Sequence, residues 1–213
     1  MYRNYLKRIL DFILALLAFV MLFPIFTVVT LSLLIANQGK PFFFQERPGL
    51  NERIFKIVKF KSMNDKKDKE GNLLPDADRL TTIGKFVRKT SLDEIPQLLN
   101  IIKEDMSLIG PRPLLPEYLP MYSEKHKKRH NVRPGITGLA QVKGRNTMKF
   151  SERFDNDVFY ADNLSFLLDA RIIFMTINSV LFKSSTIVNG QTVDDIDDLG
   201  ISRNLSSNHF KKK

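Results

Sequence analysis

From Phe12 to Ala36 no position is charged, and nearly all are Leu, Ile, Phe, Val, Ala or Met. A helix of this length crosses the roughly 30 Å hydrocarbon core of a bilayer. The run is too long for a cleavable signal peptide and has no small-residue cleavage site. Beyond it the pattern breaks into short pieces. Phe42–Gln45 and Ile54–Lys61 are rich in β-forming residues around Arg47-Pro48-Gly49, whose Pro-Gly marks a turn, and together they predict a hairpin. Asn64–Asp78 is charged and holds Gly71 and Pro75, which predicts a mobile loop. Arg79–Lys89 predicts a short helix with Leu80, Ile83 and Val87 inward.

A second helix is predicted from Ser91, with Leu92, Ile95, Leu99 and Ile102 recurring at helical steps. Ser91 with Glu94 three residues on reads as a capping box, while Pro96 makes the opening turn irregular. Glu117–His130 is amphipathic and basic, interrupted by Pro120. Phe150–Tyr160 predicts a helix carrying Asp155 and Asp157. Ser165–Lys183 predicts another, apolar over more than one stripe, which suits either a core or a membrane interface. The tail after Ser184 is polar and is expected to be poorly ordered. These patterns predict an α+β fold, mostly helical with a small β-hairpin or sheet, an N-terminal membrane helix and interfacial amphipathic helices. The expected parts are 1–39 (membrane helix), 40–183 (a folded domain) and 184–213 (the tail).

The membrane segment has two peculiarities. Pro24 lies at its centre, where a soluble helix loses about 3 kcal/mol. Both flanks are basic, with Arg3, Lys7 and Arg8 before it and Arg47, Arg53 and Lys56 beyond. A spanning helix places one positive flank outside, against the positive-inside bias, and two net charges there cost about 5 kcal/mol at 100 mV. A re-entrant hairpin bent at Pro24 avoids this. Many spanning helices also carry a proline, so charge and proline alone leave the two evenly matched.

Composition narrows the partners. The 213 residues carry a net charge of +10 and no cysteine, which excludes disulfides and thiolate metal sites. The charge calls for nucleic acid, an anionic membrane surface or phosphorylated small molecules. Zinc-finger spacing, basic heptads and RNP-type aromatics are all missing, so nucleic acid is not the expected partner. His126 and His130 have helical spacing without an HExxH pattern or third ligand, so zinc is not expected either.

The candidate chemistry sits between Arg88 and Pro113. Asp93 and Glu94 are adjacent near a helix start, and Arg112 lies between Pro111 and Pro113, each of which fixes its own φ. Carboxylates and a rigidly presented guanidinium suit a phosphate, a metal ion, or both. First-turn acids are also ordinary capping. Lys59 and Lys61 share a strand face, by default a solvated edge. Gly135, Gly138 and Gly144 among Arg133, Lys143 and Arg145 suit either a phosphate cradle or a turn-rich connection.

Taken together, Lys7-Arg8 with Asp11, Arg47-Pro48-Gly49, Phe55-Lys56 through Lys59-Phe60-Lys61, Ser91-Leu92-Asp93-Glu94, Asp105-Met106-Ser107, Gly110-Pro111-Arg112-Pro113 and Arg133-Pro134-Gly135-Ile136-Thr137-Gly138 closely resemble the bacterial sugar transferase family of small monotopic phosphoglycosyl transferases. Within it, the resemblance is to the type that moves diacetylbacillosamine phosphate onto undecaprenyl phosphate. Phe23 precedes Pro24 where family members often place serine, and Glu104 replaces a glycine.

The resemblance implies transfer of a sugar 1-phosphate from a UDP-sugar to polyprenyl phosphate, with release of UMP. The implied intermediate is a covalent aspartyl-phosphosugar on Asp93. Glu94 would help to hold Mg²⁺, Lys59, Arg88 and Arg112 would face phosphate groups, and Arg145 and Asp157 would be further active-site positions. It also implies a re-entrant membrane helix, contact with inner-membrane lipids, and a catalytic domain on the cytoplasmic face of the bacterial inner membrane. The first membrane step of capsule, lipopolysaccharide or glycoprotein glycan assembly is the implied place of the reaction. A non-enzymatic, basic, membrane-anchored binder of anionic lipid or nucleic acid is the alternative. It gives no reason for Asp93-Glu94 beside a proline-locked Arg112.

Overall fold

The computed structural model of the chain describes residues 1–144, 148–182 and 196–201. They are mostly helical, as the sequence pattern predicts, with two small sheets, one of them the predicted hairpin. In chain order the elements are α1 (Lys7–Ala36), β1 (Phe42–Pro48), β2 (Ile54–Phe60), α2 (Asp76–Arg79), α3 (Thr82–Lys89), α4 (Gln97–Ile102), β3 (Ser107–Ile109), α5 (Glu124–Lys127), β4 (Gly135–Thr137), α6 (Leu139–Gly144), α7 (Phe150–Asp162) and α8 (Phe166–Phe182). By internal contacts the chain divides into two compact units. One comprises Leu10–Gln45 and Lys56–Glu104, the other Met1–Ile9, Glu46–Phe55 and Asp105–Lys213.

The helix α1 is long and apolar enough to cross a membrane, and little of it is buried by the rest of the chain. It runs without interruption through Pro24. The proline removes an amide that would otherwise bond the Val20 carbonyl. Hydroxyls follow it: Thr27 Oγ1 donates to the Phe23 carbonyl at 2.9 Å, and Thr30 and Ser32 bond back to Phe26 and Val28 in the same way. Such i−4 bonds satisfy hydroxyls inside an apolar segment and favour bending.

In the first unit, Phe26 of α1 packs on Phe42 of β1 and Phe60 of β2, with ring centroids 5.8 and 5.3 Å away. The strands β1 and β2 pair across a five-residue connection, too short for a parallel crossover, which confirms the hairpin. The outer edge of β2 is closed by a side chain. Buried Asn100 of α4 accepts from the Val58 amide at 3.0 Å and donates to the Lys56 carbonyl at 2.8 Å, as a neighbouring strand would.

Two expectations in this unit are corrected. The helix predicted over Arg79–Lys89 starts at Thr82, capped by the Thr81 hydroxyl, with Leu80 instead bridged to Met63. Val87 and Gly84 face inward while Ile83 is exposed, because Ser62 lies against the Gly84 side of α3 and leaves no room there for a Cβ. Ser91 is not a cap. It adopts a left-handed φ of 56° with no side-chain cap bond, and Leu92–Glu94 form a 3₁₀ turn. Pro96 cannot donate to a preceding carbonyl, so the regular helix begins after it, at Gln97. Of the predicted stripe, Ile95 is buried as expected, but that shift buries Leu98 and Ile101 in place of Leu92, Leu99 and Ile102.

In the second unit, three-residue strands β3 and β4 pair in parallel, Ser107 opposite Gly135 and Ile109 opposite Thr137. A core of Ile109, Val132, Leu139, Tyr160, Ala161 and Ile172 joins this pair to α6, α7 and α8. The helices α7 and α8 lie almost where the apolar periodicity places them. The N-terminal end of α1 also belongs here. Asp169 of α8, only 3% exposed, accepts from Lys7 Nζ at 2.8 Å and from the Tyr2 hydroxyl at 2.6 Å. The Tyr160 hydroxyl of α7 lies 2.7 Å from its other oxygen.

Candidate active site

The 3₁₀ turn Leu92–Glu94 presents Asp93 and Glu94, both half-buried. Lys59, near the end of β2, reaches Glu94 Oε1 at 3.1 Å. Arg88, in the last turn of α3, is exposed and adds positive potential at Asp93. Burial pushes the Asp93 carboxyl above the ordinary range, Lys59 pulls it down, Glu94 adds to the rise, and Arg88 and the residue's own amide oppose it. Asp93 is therefore a partly desolvated carboxylate near two cations, with a hydrogen bond from its own backbone amide. Four of the residues singled out in the sequence thus belong to one unit, and Asn100 fixes the strand that carries Lys59. The side-chain mimicry of a strand by Asn100 has no sequence signature, and its role was missed.

Arg112 and Asp157 belong to the other unit. Pro111 and Pro113 are buried while Arg112 between them is exposed. Three backbone bonds tie the adjoining segments together: Ser107 N to Pro134 O, Gly110 N to Thr137 O and Gly135 N to Pro111 O, at 2.8, 2.9 and 3.0 Å. A Cβ on Gly110, Gly135 or Gly138 would meet backbone atoms at 2.1–2.3 Å. Gly135 and Gly138 therefore serve the close approach of two backbone segments. Gly144 packs against Met148.

Asp157 is fully buried and bound to Arg129, whose Nη2 and Nε lie 2.7 and 3.1 Å from Oδ2. Arg129 also donates to the Tyr122 hydroxyl at 2.9 Å and to the Arg112 carbonyl at 2.8 Å. Breaking such a buried pair by removing one partner costs about 3–5 kcal/mol. Arg47 donates weakly to the Pro113 carbonyl at 3.4 Å. Arg47 and Arg153 are both held below the usual guanidinium range, first by burial, with Arg112 contributing its like charge to each. A concentration of guanidinium groups thus surrounds the proline-flanked turn. Arg129 and Arg153 were not singled out in the sequence, and Arg47 was noted only as a basic flank and as part of the Arg47-Pro48-Gly49 motif; one lysine-and-arginine run looks like any solvated basic face. Arg145 lies outside the described residues, as does most of the tail.

His130, next to Arg129 in sequence, is buried against the Tyr122 ring. Burial first and Arg129 second push it down to about 4 from 6.5, against a backbone hydrogen bond with Gly49. A base depressed in the folded state contributes stability that is present above its unfolded pKa and lost as pH falls toward the folded one. Thermal unfolding in detergent should show a loss of about 2 kcal/mol between pH 7 and 5, reduced in His130→Gln. An equal loss in the variant would exclude His130 as its source.

The bacterial sugar transferase profile matches residues 2–183 of the chain. The chain belongs to the bacterial sugar transferase family. It is 49% identical over 179 residues to the uncharacterized sugar transferase EpsL of Bacillus subtilis, covering 83% of this chain and 87% of that protein. It is 36% identical over 181 residues to a UDP-glucose:undecaprenyl-phosphate glucose-1-phosphate transferase of Klebsiella pneumoniae, covering 80% of this chain and 39% of the relative. A UDP-N-acetylgalactosamine-undecaprenyl-phosphate N-acetylgalactosaminephosphotransferase of Aeromonas hydrophila is 35% identical over 185 residues, covering 83% and 44%. The protein is a transferase, and the non-enzymatic alternative falls with that result.

Proposed function

We propose that this bacterial sugar transferase moves a sugar 1-phosphate from a UDP-sugar to polyprenyl phosphate, releasing UMP, through a covalent intermediate on Asp93. The observation that carries the reading is the Asp93 carboxylate itself, partly desolvated and flanked by Lys59, Glu94 and Arg88. The substrate classes follow the names of the Klebsiella and Aeromonas relatives. An Asp93 oxygen attacks the β-phosphorus, the bond to the oxygen bridging the two phosphates breaks, and UMP departs with that oxygen. A phosphate oxygen of the lipid then attacks the same phosphorus. The Asp93–phosphorus bond breaks, the carboxylate is restored, and a polyprenyl diphosphate sugar leaves. Lys59, Arg88 and Arg112 offset the charge of an anion approaching an anion.

Among the described residues, no group of three His, Cys, Asp or Glu converges as a metal cage. Asp93 and Glu94 offer two adjacent carboxylates, one of them shared with Lys59. That donor set fits Mg²⁺, which keeps several waters and is commonly held by one or two carboxylates together with substrate phosphates. Glu94 would hold the ion, which when bound supplies Lewis-acid polarisation of phosphate oxygens.

A lipid substrate requires a membrane surface, and here the reading includes a re-entrant α1. Lys7 is ion-paired to Asp169. In this reading both ends of α1 lie on one face, which its two basic flanks and Pro24 favour over spanning. We place that face at the cytoplasmic side of the bacterial inner membrane, as the first membrane step of glycan assembly requires for UDP-sugars. The exposed Leu167, Phe174 and Ile177 of α8 suit contact with its lipids.

Single cysteines at Tyr2 and Phe43, labelled in intact cells with an impermeant thiol reagent, should both be protected. Labelling at Tyr2 alone would mean a spanning anchor. For the chemistry, purified protein given UDP-glucose, UDP-galactose and UDP-N-acetylgalactosamine with undecaprenyl phosphate should release UMP from at least one, and only with a divalent cation. Release of UDP instead would mean transfer of the sugar without its phosphate and would sink the reading.

A further inference from the structure

The turn that carries Arg112 has few main-chain handles. Pro111 and Pro113 contribute no N–H, and the Pro111 carbonyl is already taken by Gly135. The Arg112 carbonyl is held by Arg129 Nη2 at 2.8 Å. Arg129 cannot itself reach a substrate: it is 2% exposed, and three of its other four N–H groups are directed to Asp157 and Tyr122. Its guanidinium also lies 5.4 and 5.3 Å from the Tyr122 and Phe154 ring centroids, which leaves it little freedom to turn. A planar fork fixed on one side by a carboxylate and a phenol presents its remaining edge in a set direction.

We propose that Arg129, oriented by Asp157 and Tyr122, is a positioning residue that fixes the main chain of Arg112 and so aims the exposed Arg112 guanidinium at substrate phosphate. The inference rests on the reading of Arg112 as a phosphate contact. It reassigns Asp157 from the substrate to the support behind Arg112. It also explains why an aspartate is tolerated at a fully buried position of α7. Asp157 reaches no described acceptor or donor of the turn directly, so its influence on the site passes through Arg129.

The test is a double-mutant cycle on the full-length protein, read as kcat/KM for UMP release from the UDP-sugar it accepts in the panel above. Arg129→Lys keeps a positive charge opposite Asp157, yet one ammonium cannot hold the carboxylate and the Arg112 carbonyl together. The expected loss is about tenfold or more in the wild-type background and less than about twofold in an Arg112→Ala background, because residues acting through one group are non-additive. Asp157→Asn should behave alike, and Tyr122→Phe should show a milder form of the same pattern. If Arg129→Lys does not fold, judged by circular dichroism and thermal unfolding, Asp157→Asn and Tyr122→Phe carry the cycle. Equal fold-losses in both backgrounds would make Arg129 a support of the fold alone and overturn the proposal. Wild-type kinetics in Arg112→Ala itself would instead remove Arg112 from the phosphate site, and the proposal would fall with that reading.

Discussion

Asp93→Asn is expected to abolish turnover, by roughly 10³-fold or more, while leaving the protein folded and no less stable at neutral pH. The first half follows from chemistry: an amide oxygen is a poor nucleophile toward phosphorus and cannot regenerate a carboxylate leaving group. The second half follows from burial. The Asp93 pKa is raised above 3.8 in the folded state, chiefly by desolvation. A raised acid contributes stability that is present below its unfolded pKa and lost as pH rises through the folded one. At neutral pH the ionised side chain therefore works against folding, and a neutral amide relieves that penalty. Catalysis and stability should move in opposite directions at this position. Activity above about a tenth of wild type, or a clear fall in unfolding temperature at pH 7, would contradict the assignment.

Glu94→Gln should also inactivate, through a different route. The substituted amide could still accept a hydrogen bond from Lys59 but would bring no charge to a divalent cation. The remaining turnover should need a much higher Mg²⁺ concentration, and the metal titration should shift by about tenfold or more. The change should also leave Lys59 without its charged partner at 3.1 Å. An unchanged metal requirement would take Glu94 out of that role and leave it as the support of Lys59 alone.

Much of this was legible in the chain. The long apolar run, α7 and α8 stand out because burial or lipid contact repeats over several turns, and the hairpin because Pro48-Gly49 marks its corner. Pro96 correctly foretold an irregular opening turn, but the same residue defeated the capping box at Ser91, since a competing local rule governs where the helix begins. The β3–β4 pair was missed. Three residues per strand carry no periodicity, and its partners come together across a long stretch of sequence. Arg129 and Asn100 were missed for a related reason: each acts by bonding a distant main chain, and the receiving carbonyl or amide is the same in every residue. Asp157 attracted notice through the family pattern, while its partner was visible only once the chain had folded.

The bond between Lys7 and Asp169 spans 162 residues of sequence. During synthesis at about 5–20 residues per second, α1 leaves the ribosome on the order of ten to thirty seconds before Asp169 does. For that interval the apolar segment is present without the carboxylate that later holds its first turn. Its initial orientation is thus decided by the apolar run, Pro24 and the nearby positive charges, and the carboxylate can only lock in an arrangement already reached. On the proposed re-entrant reading, a nascent chain that inserted the other way round would arrive at residue 169 with its lysine across the bilayer from Asp169, and could not be repaired by the finished fold.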